Sequence, residues 1–374
     1  MKLNAINAHL TYSMNVHPGE TLADQVDAIT QYVLPLKQHL SPENPFGLGL
    51  RLSARAAEEL ALPQALESFK RLLHQHQLYV FTINGFPYGS FHGTKVKDQV
   101  YRPDWSSPQR LAYTCRLADL LAALLPEEVP GSISTVPVAY RPNAPSNLNN
   151  AIRHLKEAAD HLHRLHQKTG RLIQLALEPE PDCLLESTLG AIAFFDQHLS
   201  DEKTRRYLGI CLDTCHFAVE FEDPATSLRR LLEAGISIPK IQLSAALETH
   251  AAQAEKLRPF CDATYLHQTR IRRKDGIIIR YPDLAQAIDH EPHTGEAEWR
   301  THYHVPLYFK SDADLQSTAK LLTPDFFQTA FDAGIPHVEI ETYTINILPH
   351  AHRPKNLTES LLREYQWTLE RMPS

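Results

Sequence analysis

Gly209-Ile210-Cys211-Leu212-Asp213-Thr214-Cys215-His216 is an apolar run that ends in an aspartate, with a histidine three residues further on. A parallel strand buried on both faces reads as a continuous apolar run. In an α/β barrel, the C-terminal end of such a strand delivers polar side chains to the mouth. A carboxylate oxygen and an imidazole at this spacing both suit a divalent cation. Cys211 and Cys215 flank Asp213 and fall on its side of the strand or near it. They read as small core-filling residues, with thiolate ligation as the alternative.

The same pattern recurs along the chain. Short apolar runs at Ala5–Thr11, Gly47–Leu52, Leu78–Ile83, Ser132–Val138, Leu172–Leu177, Leu208–Leu212, Lys240–Leu243 and His337–Ile340 read as strands. Amphipathic segments fall between them, among them Glu20–His39, Ala54–Gln75, Pro108–Leu125, Ser146–Thr169, Glu186–Leu199 and Pro224–Ala234. Within Ser146–Thr169, Leu148, Ala151, Ile152, Leu155, Ala158 and Leu162 recur at helical spacing, and Ser146 is the expected N-cap. Eight strands separated by helices predict a closed α/β structure, the (β/α)8 TIM barrel. A doubly wound open sheet would carry a Gly-rich phosphate loop after its first strand, and the sequence has none there. The rhythm breaks once, over about 248–322, where some seventy-five residues replace a single helix. That stretch reads as an elaborated loop after strand seven, on the catalytic face or close to it. Lys274-Asp275-Gly276 marks a hairpin within it. The expectation is one barrel domain over 1–374.

Composition narrows the class. With 374 residues, 43% hydrophobic and 22% charged, the chain reads as globular. A formal net charge of −7 lacks the basic excess that neutralises phosphates, so no nucleic-acid partner is expected. Five cysteines without a CxxC pair favour reduced thiols and a cytoplasmic location. The start, Met1-Lys2-Leu3-Asn4-Ala5, has no apolar signal core, and no run approaches the length of a membrane span. Of 21 histidines, His154, His161, His163 and His166 read as a solvated helix face.

The strand ends supply the chemistry. Strand one offers His9 and Tyr12. Strand three runs into Asn84-Gly85-Phe86-Pro87-Tyr88-Gly89, followed by His92. Strand five runs into Glu178-Pro179-Glu180-Pro181, strand six gives Asp213 and His216, strand seven gives Gln242 and Ser244, and strand eight gives Glu339 and Glu341. Acids gathered at one barrel mouth are costly unless paired or metal-bound, so a cation shared by Glu178, Asp213 and Glu341 is expected. Glu180 lies beyond a proline and Glu339 sits one layer deeper by strand parity, so both rank lower. In the insertion, His302 and His304 share a face of an extended segment, and His304 ranks above His302. His267 and Arg270 are further polar candidates for substrate, beside His9, Asn84 and His92. Phe86 and Tyr88 are candidate aromatic walls for a small-molecule metabolite.

These residues resemble the xylose-isomerase-like superfamily of barrels, which includes sugar isomerases, ketose epimerases and endonuclease IV. Cys211-Leu-Asp-Thr-Cys-His216 is similar to the strand-six motif of endonuclease IV, and the epimerases carry a similar Asp-x-x-His. The resemblance implies metal-binding glutamates at Glu178 and Glu341. A closer resemblance, covering most of the chain, is to the EboE family, the barrel proteins of bacterial ebo clusters. It rests on Ala8-His-Leu-Thr-Tyr12, Ile83-Asn-Gly-Phe-Pro-Tyr-Gly89, Phe91-His-Gly93, Tyr265-Leu-His-Gln268, His302-Tyr-His-Val-Pro306 and Glu339-Ile-Glu-Thr-Tyr343. It implies a metabolite-handling role and partners from the same gene cluster.

The chain departs from the epimerases at strand seven, where they supply a metal-binding histidine and Ile241-Gln-Leu-Ser244 does not. Either Gln242 completes the coordination or His304 reaches in from the insertion, and His304 is favoured.

Three functional readings follow. The first is a sugar (phosphate) isomerase or epimerase that uses a divalent metal (Mn, Zn, Fe or Mg) on a small polyhydroxylated metabolite. In it Glu178 and Glu341 move protons, Asp213 holds the metal, and His216 binds a substrate oxygen or a second ion. The second is metal-assisted phosphoester hydrolysis. The third is non-catalytic binding and traffic of a metabolite, with Phe86, Tyr88, Trp299 and Tyr303 lining an apolar pocket.

Overall fold

The computed structural model describes the chain except residues 4–5, 90–95, 262–263, 313, 346–347, 349–351 and 373–374. Its larger sheet is built from β1 (Lys2–Leu3), β2 (Ala8–Tyr12), β3 (Phe46–Arg51), β4 (Leu78–Asn84), β5 (Gly131–Thr135), β6 (Ile173–Leu177), β7 (Leu208–Asp213), β8 (Lys240–Leu243) and β14 (His337–Ile340). The strand order is β1-β2-β14-β8-β7-β6-β5-β4-β3. All pairings are parallel except the short β1, which runs antiparallel on β2. A parallel bridge between Ser13 and Gly49 joins β2 to β3 and closes the ring. The expected eight strands are therefore present within a few residues of their expected bounds, and the architecture is an α/β TIM barrel. Gly49 is required at the seam: a Cβ there would overlap Glu339 Oε1 and lie 2.8 Å from the Tyr12 carbonyl.

Outward side chains such as Leu10, Leu48, Leu50, Val80 and Ile133 join one apolar core beneath the helices. The lumen is polar instead. Thr82 and Ser132 hydroxyls are 2.8 Å apart, His337 Nδ1 is 2.8 Å from Ser132 Oγ, and Lys240 Nζ is 2.6 Å from Glu339 Oε2. Lys240 and Glu339 are both fully buried, so neither charge is tolerable without the other. Glu339 thus occupies the layer below Glu341.

Two local expectations need correction. The long helix is Asn149–Thr169, and Ser146 does not cap it; the Asn147 side-chain carbonyl accepts from the Asn149 N–H instead, at 2.8 Å. His154 is not on a solvated face: it is buried, with Nδ1 2.8 Å from the Trp105 carbonyl. His161, His163 and His166 are half-buried and bond to Asp119 or Tyr207.

The insertion is more than a hairpin. It forms a second, antiparallel sheet from β9 (Leu247–His250), β10 (Thr269–Arg272), β11 (Ile278–Tyr281), β12 (Glu298–Thr301) and β13 (Gln316–Ser317), ordered β11-β10-β12-β9-β13. The Asp275-Gly276 turn joins β10 to β11, and Gly276 takes φ +85°, a conformation glycine adopts without strain. Beyond β12 the chain returns to the barrel mouth, where the Val305 N–H bonds the Ala245 carbonyl at 2.9 Å.

Candidate metal centre

The mouth of the barrel gathers eight side chains that can ligate a cation, all buried. Glu178, Asp213 and Glu341 form one group. Asp213, His216 and His304 form a second, Glu180, His216 and His302 a third, and Cys215, His302 and His304 a fourth. In each, the ligand atoms lie within 4.8 Å of one another.

The carboxylate side is built from strand ends. Asp213 closes β7 and caps the short helix Thr214–Val219: its Oδ1 accepts from the N–H groups of Cys215 and His216 at 2.9 and 3.1 Å, and from Ser244 Oγ at 2.6 Å. Glu341 follows β14, and its Oε1 accepts from Asn84 Nδ2 at 3.0 Å and from Asn15 Nδ2. Glu178 follows β6. One oxygen of each acid, Glu178 Oε2, Asp213 Oδ2 and Glu341 Oε2, has no hydrogen-bond partner among the described residues. Burial, and then the neighbouring carboxylates, holds Glu178 and Glu341 well above the ordinary carboxylate range. Burial pushes Asp213 up as well, but His216, His304 and the Ser244 hydroxyl outweigh it and leave Asp213 below its usual value. Three buried acids with three bare oxygens are the donor set of a hard or borderline divalent cation.

The imidazole side is oriented with equal care. His216 donates from Nδ1 to the Pro179 carbonyl at 2.9 Å, His304 from Nδ1 to the Glu341 carbonyl at 2.8 Å, and His302 from Nδ1 to Gln268 Oε1 at 2.8 Å. Each acceptor fixes the tautomer and leaves Nε2 as a lone pair. Those lone pairs converge: His302 Nε2 lies 3.0 Å from His304 Nε2, which lies 3.4 Å from His216 Nε2. Two nitrogens bound to one cation at about 2.1 Å are separated by roughly 3.0 to 3.4 Å, for right-angle to tetrahedral geometry. Burial holds His304 at about 4 and His302 well below its ordinary value, so protons do not relieve the contact. The residues present fit a bound divalent cation.

His302 and Glu180 rank higher in the structure than in the sequence. The backbone folds back after Pro179, with the Glu180 N–H on the Leu185 carbonyl at 3.0 Å. Glu180 therefore faces the same cavity as Glu178, and burial raises its carboxyl to about 7. A relay ties the two sides together. Gln268 Nε2 donates to Tyr101 Oη at 2.9 Å, and Tyr101 donates to Glu180 Oε1 at 2.7 Å, while Gln268 Oε1 serves His302. Asn15, Tyr101 and Gln268 carry no sequence signal of their own beyond Gln268's place in Tyr265-Leu-His-Gln268.

The cavity above the cluster is lined by Asn84, Phe86, Glu178, Glu180, His216, His302, His304 and Glu341, among others. Several expected site residues lie elsewhere. His9 falls near the start of β2, at the opposite end of the barrel, with Nδ1 2.9 Å from Tyr79 Oη. Gln242 does not join the ligand groups, because its Oε1 accepts from Cys211 Sγ at 2.7 Å and the chain turns so that Ser244 reaches Asp213. His267 stacks on Tyr303 at 3.9 Å and bonds the His302 carbonyl, behind the site. Arg270 is consumed by Glu220, Asp182 and Glu186 at 2.6, 2.7 and 2.8 Å. Tyr88 packs on Tyr113, away from the cavity. Trp299 and Tyr303 are buried and do not line it. His92 and the rest of Phe91-His-Gly93 lie outside the described residues.

The fold is an α/β TIM barrel, and solved proteins share it. The chain is similar to a solved D-tagatose 3-epimerase-like protein, with 13% identity and a TM-score of 0.53 over 97% of this chain and 96% of that one. It is also similar to the IolI protein, solved with a binding zinc atom, with 11% identity and a TM-score of 0.51 over 97% of each chain. At these identities the likeness is one of fold. No protein-family model and no curated protein sequence matches the chain.

Proposed function

We propose that this chain is a divalent-metal-dependent isomerase or epimerase of the sugar-processing kind, acting on a small polyhydroxylated metabolite. One observation carries the reading: three imidazole lone pairs and three bare carboxylate oxygens converge in one buried mouth. Glu178, Asp213, Glu341 and His304 would hold the cation, with His216 and His302 beside it. When bound, a Mn, Zn, Fe or Mg ion supplies Lewis-acid polarisation of a carbonyl and its neighbouring hydroxyl. Glu178 and Glu341 project from β6 and β14. Their carboxylates would take a proton from a substrate carbon and return one to its neighbour in isomerisation, or to the other face of the same carbon in epimerisation. The first exchanges carbonyl and hydroxyl, the second inverts one carbon, and neither is a net oxidation. His216 holds a substrate oxygen or a second ion.

The resemblance to the EboE family supports a place in an ebo-type metabolite-handling pathway, in the cytoplasm, with partners from the same gene cluster. Among the described residues no helix is long and apolar enough to cross a membrane.

The size of the ligand cluster favours a second reading, metal-assisted phosphoester hydrolysis, because eight ligating side chains exceed what one ion needs. Elemental analysis of the purified protein, paired with solvent-deuterium exchange into candidate sugars, tests the first. One ion per chain and exchange lost in Glu341→Ala are expected. Two or three ions with no exchange favour the phosphoesterase, and a ligand that binds tightly without turnover favours traffic. Full metal content and full exchange in Glu341→Ala would sink the assignment.

A further inference from the structure

We propose that the polyhydroxylated metabolite of this site is an uncharged molecule in two parts, a chelating hydroxyl-bearing end and an apolar body. The proposal rests on the metal-centred reading above and extends it to the opposite wall of the cavity.

The cavity has two kinds of lining, with Asn15, Asn84 and Lys97 as further polar members. Its inner wall is carboxylate and imidazole. Its outer wall includes Phe86, Val96, Val100, Tyr101, Leu266 and Tyr343. Phe86 meets Tyr101 edge-on at 5.9 Å, and Tyr101 stacks on Tyr140 at 4.8 Å, which fixes two aromatic surfaces in place. The Tyr101 hydroxyl is already committed to Glu180 and Gln268, so what this residue offers a ligand is its ring. Tyr343 stacks on His304 at 4.5 Å, which carries the apolar wall up to the edge of the imidazole cluster. Val100 and Leu266 are only half-buried, so they keep apolar surface available to a ligand. A molecule that chelates at the inner wall therefore lays its remaining carbon skeleton on this surface, and burying that skeleton contributes affinity in proportion to area.

The charge balance selects a neutral molecule. Glu178, Glu180, Asp213 and Glu341 outnumber the charges of one divalent cation. Among the described lining residues Lys97 is the one Lys or Arg, and its Nζ pairs with Asp283. A phosphate placed here would be desolvated beside buried carboxylates with no fixed cation of its own.

Hydroxamates supply the chelating end as a probe. Protein loaded with Zn²⁺ is titrated calorimetrically with acetohydroxamic, benzohydroxamic and 4-phosphonobenzohydroxamic acids, each also measured against free Zn²⁺. Benzohydroxamate is expected to bind at least tenfold more tightly than acetohydroxamate, and the phosphonate more weakly than benzohydroxamate. In Leu266→Ala the ratio between the first two should fall toward one. Equal affinity for aceto- and benzohydroxamate, a phosphonate that binds tightest, or a ratio unchanged in Leu266→Ala overturns the proposal. Failure of all three probes to bind the zinc-loaded protein overturns the metal-centred reading instead.

Discussion

Gln268 shows how a residue outside the ligand set can govern it. Its amide accepts from His302 Nδ1 and donates to Tyr101, so one side chain fixes an imidazole tautomer and, through a phenol, a pocket carboxylate. Removing such a partner of a ligating histidine typically costs 10- to 100-fold in metal affinity, and His302 acts on the ligand His304 at 3.0 Å. Gln268→Leu is therefore expected to weaken zinc binding by about that factor, read by competition with a chromogenic chelator; affinity equal to wild type would exclude the relay. The strand-end ligands are legible in the sequence because Glu178, Asp213 and Glu341 each follow a short apolar run, which is local information. His302 and Glu180 rank too low in the sequence for physical reasons. Pro179 suggests a path that sends Glu180 to solvent, whereas the turn returns it to the cavity. The convergence of His302 on His304 and His216 depends on the path of a long insertion. His9 is misplaced by sequence because its strand begins at Ala8, so it faces the wrong end of the barrel.

At the level of elements, the insertion is the part that the chain's periodicity hides. Its five strands span two to four residues each and alternate little, so apart from the Asp-Gly turn with Ile277–Tyr281 beside it, and the β-like start of Trp299–Phe309, they lack the apolar runs that mark the barrel strands. One tie between this sheet and the barrel is Arg270 on β10, whose guanidinium is fully buried among Glu220, Asp182 and Glu186, beside the bond from Arg300 to the Ala218 carbonyl. Breaking a buried pair from one side strands the opposite charge and costs about 3 to 5 kcal/mol. Arg270→Met should lower unfolding stability by about 3 kcal/mol in urea titrations, with Arg280 near Glu220 and Glu186 softening the loss. Because β12 leads directly into His302 and His304, the same variant should bind less zinc. Wild-type stability together with wild-type metal content would show that the sheet is held by other contacts.

For the molecule as a whole, the barrel mouth sets up a conflict between folding and charge that a cation resolves. Burial raises the Glu180 carboxyl from 4.5 to about 7, and Glu178 and Glu341 stand well above their ordinary values. In metal-free protein these three carboxyls therefore bind more protons folded than unfolded above pH 4.5, while the buried His302 and His304, held below their ordinary value of 6.5, bind fewer below that value. Stability from the carboxyls is fully present below pH 4.5 and is lost as pH rises, through about 7 for Glu180. Glu180 alone corresponds to about 3 kcal/mol, since each tenfold change in proton affinity is worth about 1.4 kcal/mol. A bound cation reverses the preference, because it binds the ionised carboxylates and displaces their protons. Loading at about 100 times Kd adds about 2.7 kcal/mol, and Kd itself tightens as the carboxylates ionise. Calorimetric unfolding of chelator-stripped and zinc-loaded protein at pH 5.5 and 7.5 is thus expected to show a gap between the two forms that widens with pH. The stripped form should lose stability from its mouth carboxylates over that interval, and Glu180→Gln should lose less. A gap of the same size at both pH values would mean that the carboxylates at the mouth do not meet the cation, and the site would have to be moved to the histidines alone.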